Sequence, residues 1–266
     1  MFLIRIEGTE IAETRVIQGV IFDLGSTLIH FDGDWLDARK NGVKAMAKQL
    51  KRDGFALNTP VFLETFELAI EDSLQERQAD HIERTTASLL RQVLAGFDIR
   101  AIPDGVVERA LEQLYAASEP LWRPMPGLYE ILGELRQLGL RLGIISNAGD
   151  ENNVQRLIDN ANIRSYFEPI LVSAAVGIRK PSPRLFEMVL KAWDLPAHRA
   201  VMVGDMLGAD ILGAQTVGLH QIWLTAQADN PENQAQAGFI LPEIVADTLM
   251  DIPTLILRFD DMEAKD

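Results

Sequence analysis

Three carboxylates, one ammonium and one hydroxyl stand out because each closes an apolar run or precedes a helix start. Asp23 closes "RVIQGVIFD", Ser146 closes "LRLGIIS" and is followed by Asn147, and Asp205 closes "AVMVGD" with Asp210 five residues on. Lys180 stands in "GIRKPSPRLF", just before a capped helical pattern. A pair of acids suits Mg2+, a hard cation that takes oxygen ligands and keeps positions free for a substrate phosphate. Lysine and metal together offset the charge of a carboxylate nucleophile and a phosphoryl group, which otherwise repel. Ser146 and neighbouring amides can hydrogen-bond a phosphoryl oxygen. A carboxylate that attacks phosphorus forms an aspartyl-phosphate and splits one difficult displacement into two easier ones.

These groups are far apart in sequence, so a fold must bring them together. The apolar runs 15–23, 140–146, 168–173, 200–205 and 220–225 are of strand length and continuously hydrophobic, the pattern of parallel strands covered on both faces. Helical patterns separate them. "GLYEILGELRQLG" puts Leu128, Ile131, Leu132, Leu135 and Leu138 on one face, and "SPRLFEMVLKAW" begins with Ser182 as N-cap and Pro183 in the first turn. The alternation predicts an α/β class, a Rossmann-like doubly wound parallel sheet. In such sheets the strand ends converge where the strand order switches, which would gather Asp23, Ser146 and Asp205 in one crevice.

Residues 30–118 read differently, with at least four helical patterns and no convincing strand. "TPVFLETFELAIEDSL" has Thr59 and Pro60 as cap and first turn, and "PDGVVERALEQLY" has Asp104 as cap. The expected organisation is a core of residues 1–29 and 119–266 with an all-α cap domain, 30–118, inserted between them. The first fourteen residues suit an added edge strand or hairpin. Arg77, His81 and Arg84 fall on a common helix face, read as solvated in preference to a substrate-recognition edge.

Composition sets bounds. The 266 residues are 47% hydrophobic, and 25 basic against 39 acidic side chains give a net charge of -14. No basic cluster is available to replace phosphate counterions, so no nucleic-acid partner is expected. Without cysteine there is no disulfide, thiolate or Cys-based zinc chemistry. No apolar stretch approaches membrane-spanning length and charges interrupt the N-terminal apolar residues, which predicts a soluble, cytoplasmic protein without a membrane partner.

The four stretches "FDLGSTL", "ISNA", "RKPSP" and "VGDMLGADILGA", in this order, resemble the motifs of the haloacid-dehalogenase-like (HAD) hydrolase superfamily, subfamily I, with an α-helical C1 cap. The resemblance spans 16–28 and about 120–257. It implies a Mg2+-dependent phosphatase acting on a small phosphorylated metabolite. Carried over by position, Asp23 is nucleophile and metal ligand, the Gly25 carbonyl is a metal ligand, and Asp205 and Asp210 complete the metal site. Ser146, Asn147, Thr27 and Lys180 bind substrate or support the loops, with Lys180 balancing charge.

Gly25 departs from the family pattern, in which the residue two after the nucleophile is an Asp that acts as general acid and base, help worth about 10²–10⁴ in rate. Four outcomes follow. Another group (His30, Asp32, Asp34, a cap residue or metal-bound water) does the proton work; the protein binds phosphate with negligible turnover and serves a regulatory role; it is a phosphotransferase; or it is a 2-haloacid dehalogenase, which the acidic pair and the absence of Tyr at position 25 disfavour.

Overall fold

The computed structural model describes residues 15–263, so the edge strand or hairpin expected in the first fourteen residues lies outside it. Among the described residues six parallel strands form the central sheet: β1 (Gly19–Phe22), β4 (Arg141–Ser146), β5 (Ile170–Val172), β6 (Ala200–Gly204), β7 (His220–Leu224) and β8 (Ile244–Ala246). Their order is β5-β4-β1-β6-β7-β8. The chain runs outward from β1 through β4 to β5, then returns to β6 on the other side of β1, which places the switch in strand order beside β1. β8 was not anticipated, being three residues between polar neighbours.

Successive side chains of a strand point to opposite faces, and β1 follows this. Val20 and Phe22 join the layer built by α5 (Leu128–Gln137), α6 (Glu151–Asn160) and α9 (Ile252–Glu263), whereas Ile21 joins the layer of α7 (Pro183–Trp193) and α8 (Leu212–Val217). Trp193 of α7 lies flat on the sheet: a Cβ at Gly19 would stand 2.5 Å from its ring, and one at Gly143 2.9 Å. Its indole N–H donates to the Glu168 carbonyl at 2.7 Å.

Between β1 and β4 the chain forms α1 (Trp35–Arg52), α2 (Thr59–Asp80), α3 (Thr86–Ala95) and α4 (Asp104–Tyr115). These helices bury their own apolar cluster, which includes Met46, Leu50, Phe62, Phe66, Leu90 and Leu111. Two helix starts sit one residue from expectation: Asn58 and Pro103 occupy the N-cap positions, and Thr59 and Asp104 are the first helical residues. Asp104 then complements the helix dipole from within the first turn. The block joins the sheet domain through β2 (Ile29–Phe31) and β3 (Trp122–Pro124), an antiparallel pair.

Trp193→Ala is expected to cost about 3–5 kcal/mol, as for other buried aromatic truncations. Urea denaturation should show a lower midpoint at unchanged slope.

Candidate functional site

The C-terminal ends of β1, β4 and β6 meet in a cleft of about 860 Å3 between the sheet and the helical block. Asp23 follows β1, and its backbone N–H donates to Val203 at 3.0 Å, which keeps the loop in register with β6. Ser26, at φ 62°, then turns the chain sharply away. Lys180 lies just before α7 with its side chain only 1% exposed. Its ammonium donates to Asp23 Oδ1 at 2.5 Å and to the Ile145 carbonyl at 2.7 Å, and pairs with Asp210 Oδ1 at 2.7 Å.

Asp205 follows β6. Its carbonyl accepts from Trp223 Nε1 at 2.9 Å and Asn233 Nδ2 at 2.8 Å, while Thr27 Oγ1 donates to its Oδ1 at 3.3 Å. Asp210 sits in a π-helical turn, Leu207–Ile211, and its Oδ2 accepts from the Met206 N–H at 3.0 Å. That fold-back needs Gly204, where a Cβ would stand 2.3 Å from the Asp210 carboxyl. One oxygen from each of Asp23, Asp205 and Asp210 lies within 4.8 Å of the other two. Three hard oxygen donors balanced by one lysine leave excess negative charge, a donor set that fits a divalent cation such as Mg2+.

The electrostatics follow from that crowding. Burial, opposed by Lys180 and reinforced by Asp210, raises Asp23 to about 6. Burial together with Asp23 and Asp210 raises Asp205 to about 8. Burial alone would lower Lys180, but Asp210 and Asp23 outweigh it and the lysine pKa is raised.

Of the residues singled out in the sequence, Asp23, Gly25, Ser146, Asn147, Lys180, Asp205 and Asp210 all line the cleft. Thr27, expected to support the loop or bind substrate, is fully buried beneath Asp205. Asn147, also expected to bind substrate, engages its amide with the Lys180 backbone: Oδ1 accepts from the Lys180 N–H at 2.8 Å and Nδ2 donates to its carbonyl at 3.0 Å. Trp35 lines the cleft, but His30, Asp32 and Asp34 are not among the lining residues. Asp34 is the N-cap of α1.

The Arg77, His81 and Arg84 face divides. Arg84 pairs with Glu76 and Asp80 at the surface, whereas Arg77 and His81 line the cleft. Arg77 donates to Glu83 at 3.2 Å, and the Glu83 side chain is 0% exposed. Ser173 Oγ donates to the same carboxylate at 2.6 Å and accepts from the Ala148 N–H at 2.9 Å, and Arg179 stands 3.8 Å away. Backbone bonds from Glu83 to Gly177, Arg179 to His81 and Thr86 to Gly149 complete a clasp between the helical block and two cleft loops. Sequence reading missed Glu83, Ser173 and Asn233. The Asn-Pro helix start at 230–231 was the available signal for an ordered segment around Asn233.

The haloacid dehalogenase-like hydrolase family model matches residues 17–218. The chain belongs to this family. A glyceraldehyde 3-phosphate phosphatase of Pyrococcus abyssi is 28% identical over 208 residues, 78% of this chain and 81% of that protein. A phosphoserine phosphatase of Thermus thermophilus is 33% identical over 122 residues, 45% of this chain and 49% of that protein. The fold is shared with a 2-haloacid dehalogenase from Pseudomonas syringae (TM-score 0.64, 23% identity, 91% of this chain and 99% of that one). It is also shared with a HAD phosphatase from Thermococcus onnurineus (TM-score 0.59, 20% identity, 90% and 98%). Among the described residues no helix is long and apolar enough to cross a membrane.

A carboxyl whose pKa rises on folding binds more protons in the folded than in the unfolded state. The metal-free protein is therefore expected to lose stability as pH rises from 3.8, the unfolded value, through about 6 and about 8. Melting temperatures in chelator-treated buffer between pH 5 and 8.5 should fall, and Asp205→Asn should flatten the upper part of that slope. Separately, Glu83→Ala strands two partly buried guanidinium groups and is expected to cost about 3 kcal/mol in denaturant titrations, with Glu83→Gln milder.

Proposed function

We propose that the chain is a phosphoric monoester hydrolase that cleaves a small phosphorylated metabolite through an aspartyl-phosphate on Asp23. The observation that carries this reading is the buried ammonium of Lys180 between Asp23 and Asp210, with Asp205 beside them, opening on a cleft that also holds Ser146. The relatives named as phosphatases support it.

Asp23, Asp205 and Asp210, with the Gly25 carbonyl, would hold Mg2+, which when bound offsets the charge of phosphoryl oxygens and carboxylates. Asp23 attacks phosphorus, the ester oxygen departs, and water then releases phosphate from the acyl phosphate. Lys180 keeps Asp23 oriented and lessens its repulsion of the incoming phosphoryl group. Ser146 donates its hydroxyl to a phosphoryl oxygen. Thr27 and Asn147 act one step back, on Asp205 and on the Lys180 loop. Residues 30–118 serve as a cap over a core of 1–29 and 119–266, and Arg77 and Arg179 reach the cleft from the two sides.

Gly25 supplies no proton donor. Esters with good leaving groups need little protonation and are the favoured substrates. The same glycine favours one second reading, a phosphate-binding protein with negligible turnover. Halide displacement from carbon makes no use of three converging carboxylates and finds less support.

Mg2+-dependent phosphate release from an aryl phosphate is expected, and Asp23→Asn should abolish it. Activity no higher than that variant across a broad ester panel would establish the binding-protein reading. A Cβ at position 25 meets only the Trp122 ring, at 3.5 Å. Gly25→Asp therefore has room and should raise turnover of alkyl esters by about tenfold or more, and of aryl esters much less.

A further inference from the structure

The cleft extends outward from Asp23 over an aromatic wall that the chemistry above does not use. Trp122 of β3 and Trp35 at the start of α1 both line it, as does Ile29. Phe31 supports both indoles, at ring separations of 5.0 Å from Trp35 and 5.4 Å from Trp122, and the two indoles are 6.3 Å apart. All three contacts are edge-to-face. Backbone elements set these positions: Phe31 is paired with Trp122 across β2 and β3, and Asp34 caps α1 by accepting from the Asp37 N–H at 3.0 Å.

Two features point to a ligand. Trp35 is 49% exposed although it belongs to this packed trio and to the cleft lining. The wall also reaches the reacting groups, because Trp122 Cη2 lies 3.5 Å from the Cβ position of Gly25, two residues after Asp23. A ligand that fills the space beside Asp23 therefore meets an indole edge first and a second, exposed indole further out. The cleft volume is in the range that holds drug-sized ligands and is generous for a three-carbon phosphate ester.

We propose that Trp35 and Trp122 form a leaving-group subsite for a planar aromatic ring, so that the substrate is a phosphate ester of an aryl alcohol. The proposal rests on the phosphatase reading for the phosphate end. Ring–ring contacts add about two- to twelvefold in affinity beyond the apolar area they bury, a gain an aliphatic group of the same size does not receive. Arg39, Arg77 and Arg179 share the lining with Asp150 and Glu232, so charge there does not select the ring's substituents and the indoles carry the preference.

The test compares benzyl phosphate with cyclohexylmethyl phosphate, which share the phosphate and a similar leaving-group basicity and differ in aromaticity. Calorimetric titration of the full-length Asp23→Asn protein with Mg2+ is expected to show benzyl phosphate binding about fivefold more tightly. Adding Trp35→Leu should bring the two ligands within about twofold, and Trp35→Phe should keep most of the preference. Equal affinities in the Asp23→Asn background, or a preference that survives both Trp35→Leu and Trp122→Leu, would overturn the subsite while leaving the phosphatase reading intact. Failure of inorganic phosphate and both esters to bind, with no ester hydrolysed by the wild-type chain, would overturn the phosphatase reading and the subsite with it.

Discussion

A buried ammonium has to be matched on every side, and the site is organised around that requirement. Lysine carries three donors; Lys180 directs two of them at an oxygen after β1 and a carbonyl within β4, and its charge pairs with an oxygen after β6. Left unpaired at that depth, the group would give up its proton. The strand order β4-β1-β6 is thus a condition for the charge, since only adjacent strand ends bring those three acceptors within reach. The charge in turn draws polar groups from three separate segments toward one point.

The carboxylates are not equivalent. Asp23 and Asp210 share the lysine, whereas the Asp205 side chain receives a single hydroxyl hydrogen bond from Thr27. Its pKa is accordingly raised further than that of Asp23. Of these two, Asp205 is the one whose ionised form a nearby cation would favour more. Its own loop is held through the main chain by Trp223 and Asn233, so its position does not depend on that cation.

The sheet and its chemical groups were legible because apolar runs ending in a polar residue are local signals, and four motifs in one order narrow the topology. The helical block was legible from the lack of such runs. What could not be read is what depends on packing between distant segments. Asn147 sits in a motif that reads as substrate contact, yet its amide is satisfied by the backbone of a residue 33 positions on. Arg77 lies on a face that reads as solvated, and burial comes to it only through Glu83 and the cleft loops beyond. β8 is too short to announce itself without its neighbour β7.

The Glu83 clasp bears on how ligands enter and leave. A lid carried on two chain crossings can swing about the line joining them, and β2 and β3 provide those crossings. Residues 81–86 add a third attachment, made of three main-chain hydrogen bonds and a dehydrated carboxylate. A third anchor resists that rotation. Wide opening then requires the clasp to melt first, so traffic through the cleft is coupled to a local unfolding step and inherits its steep temperature dependence.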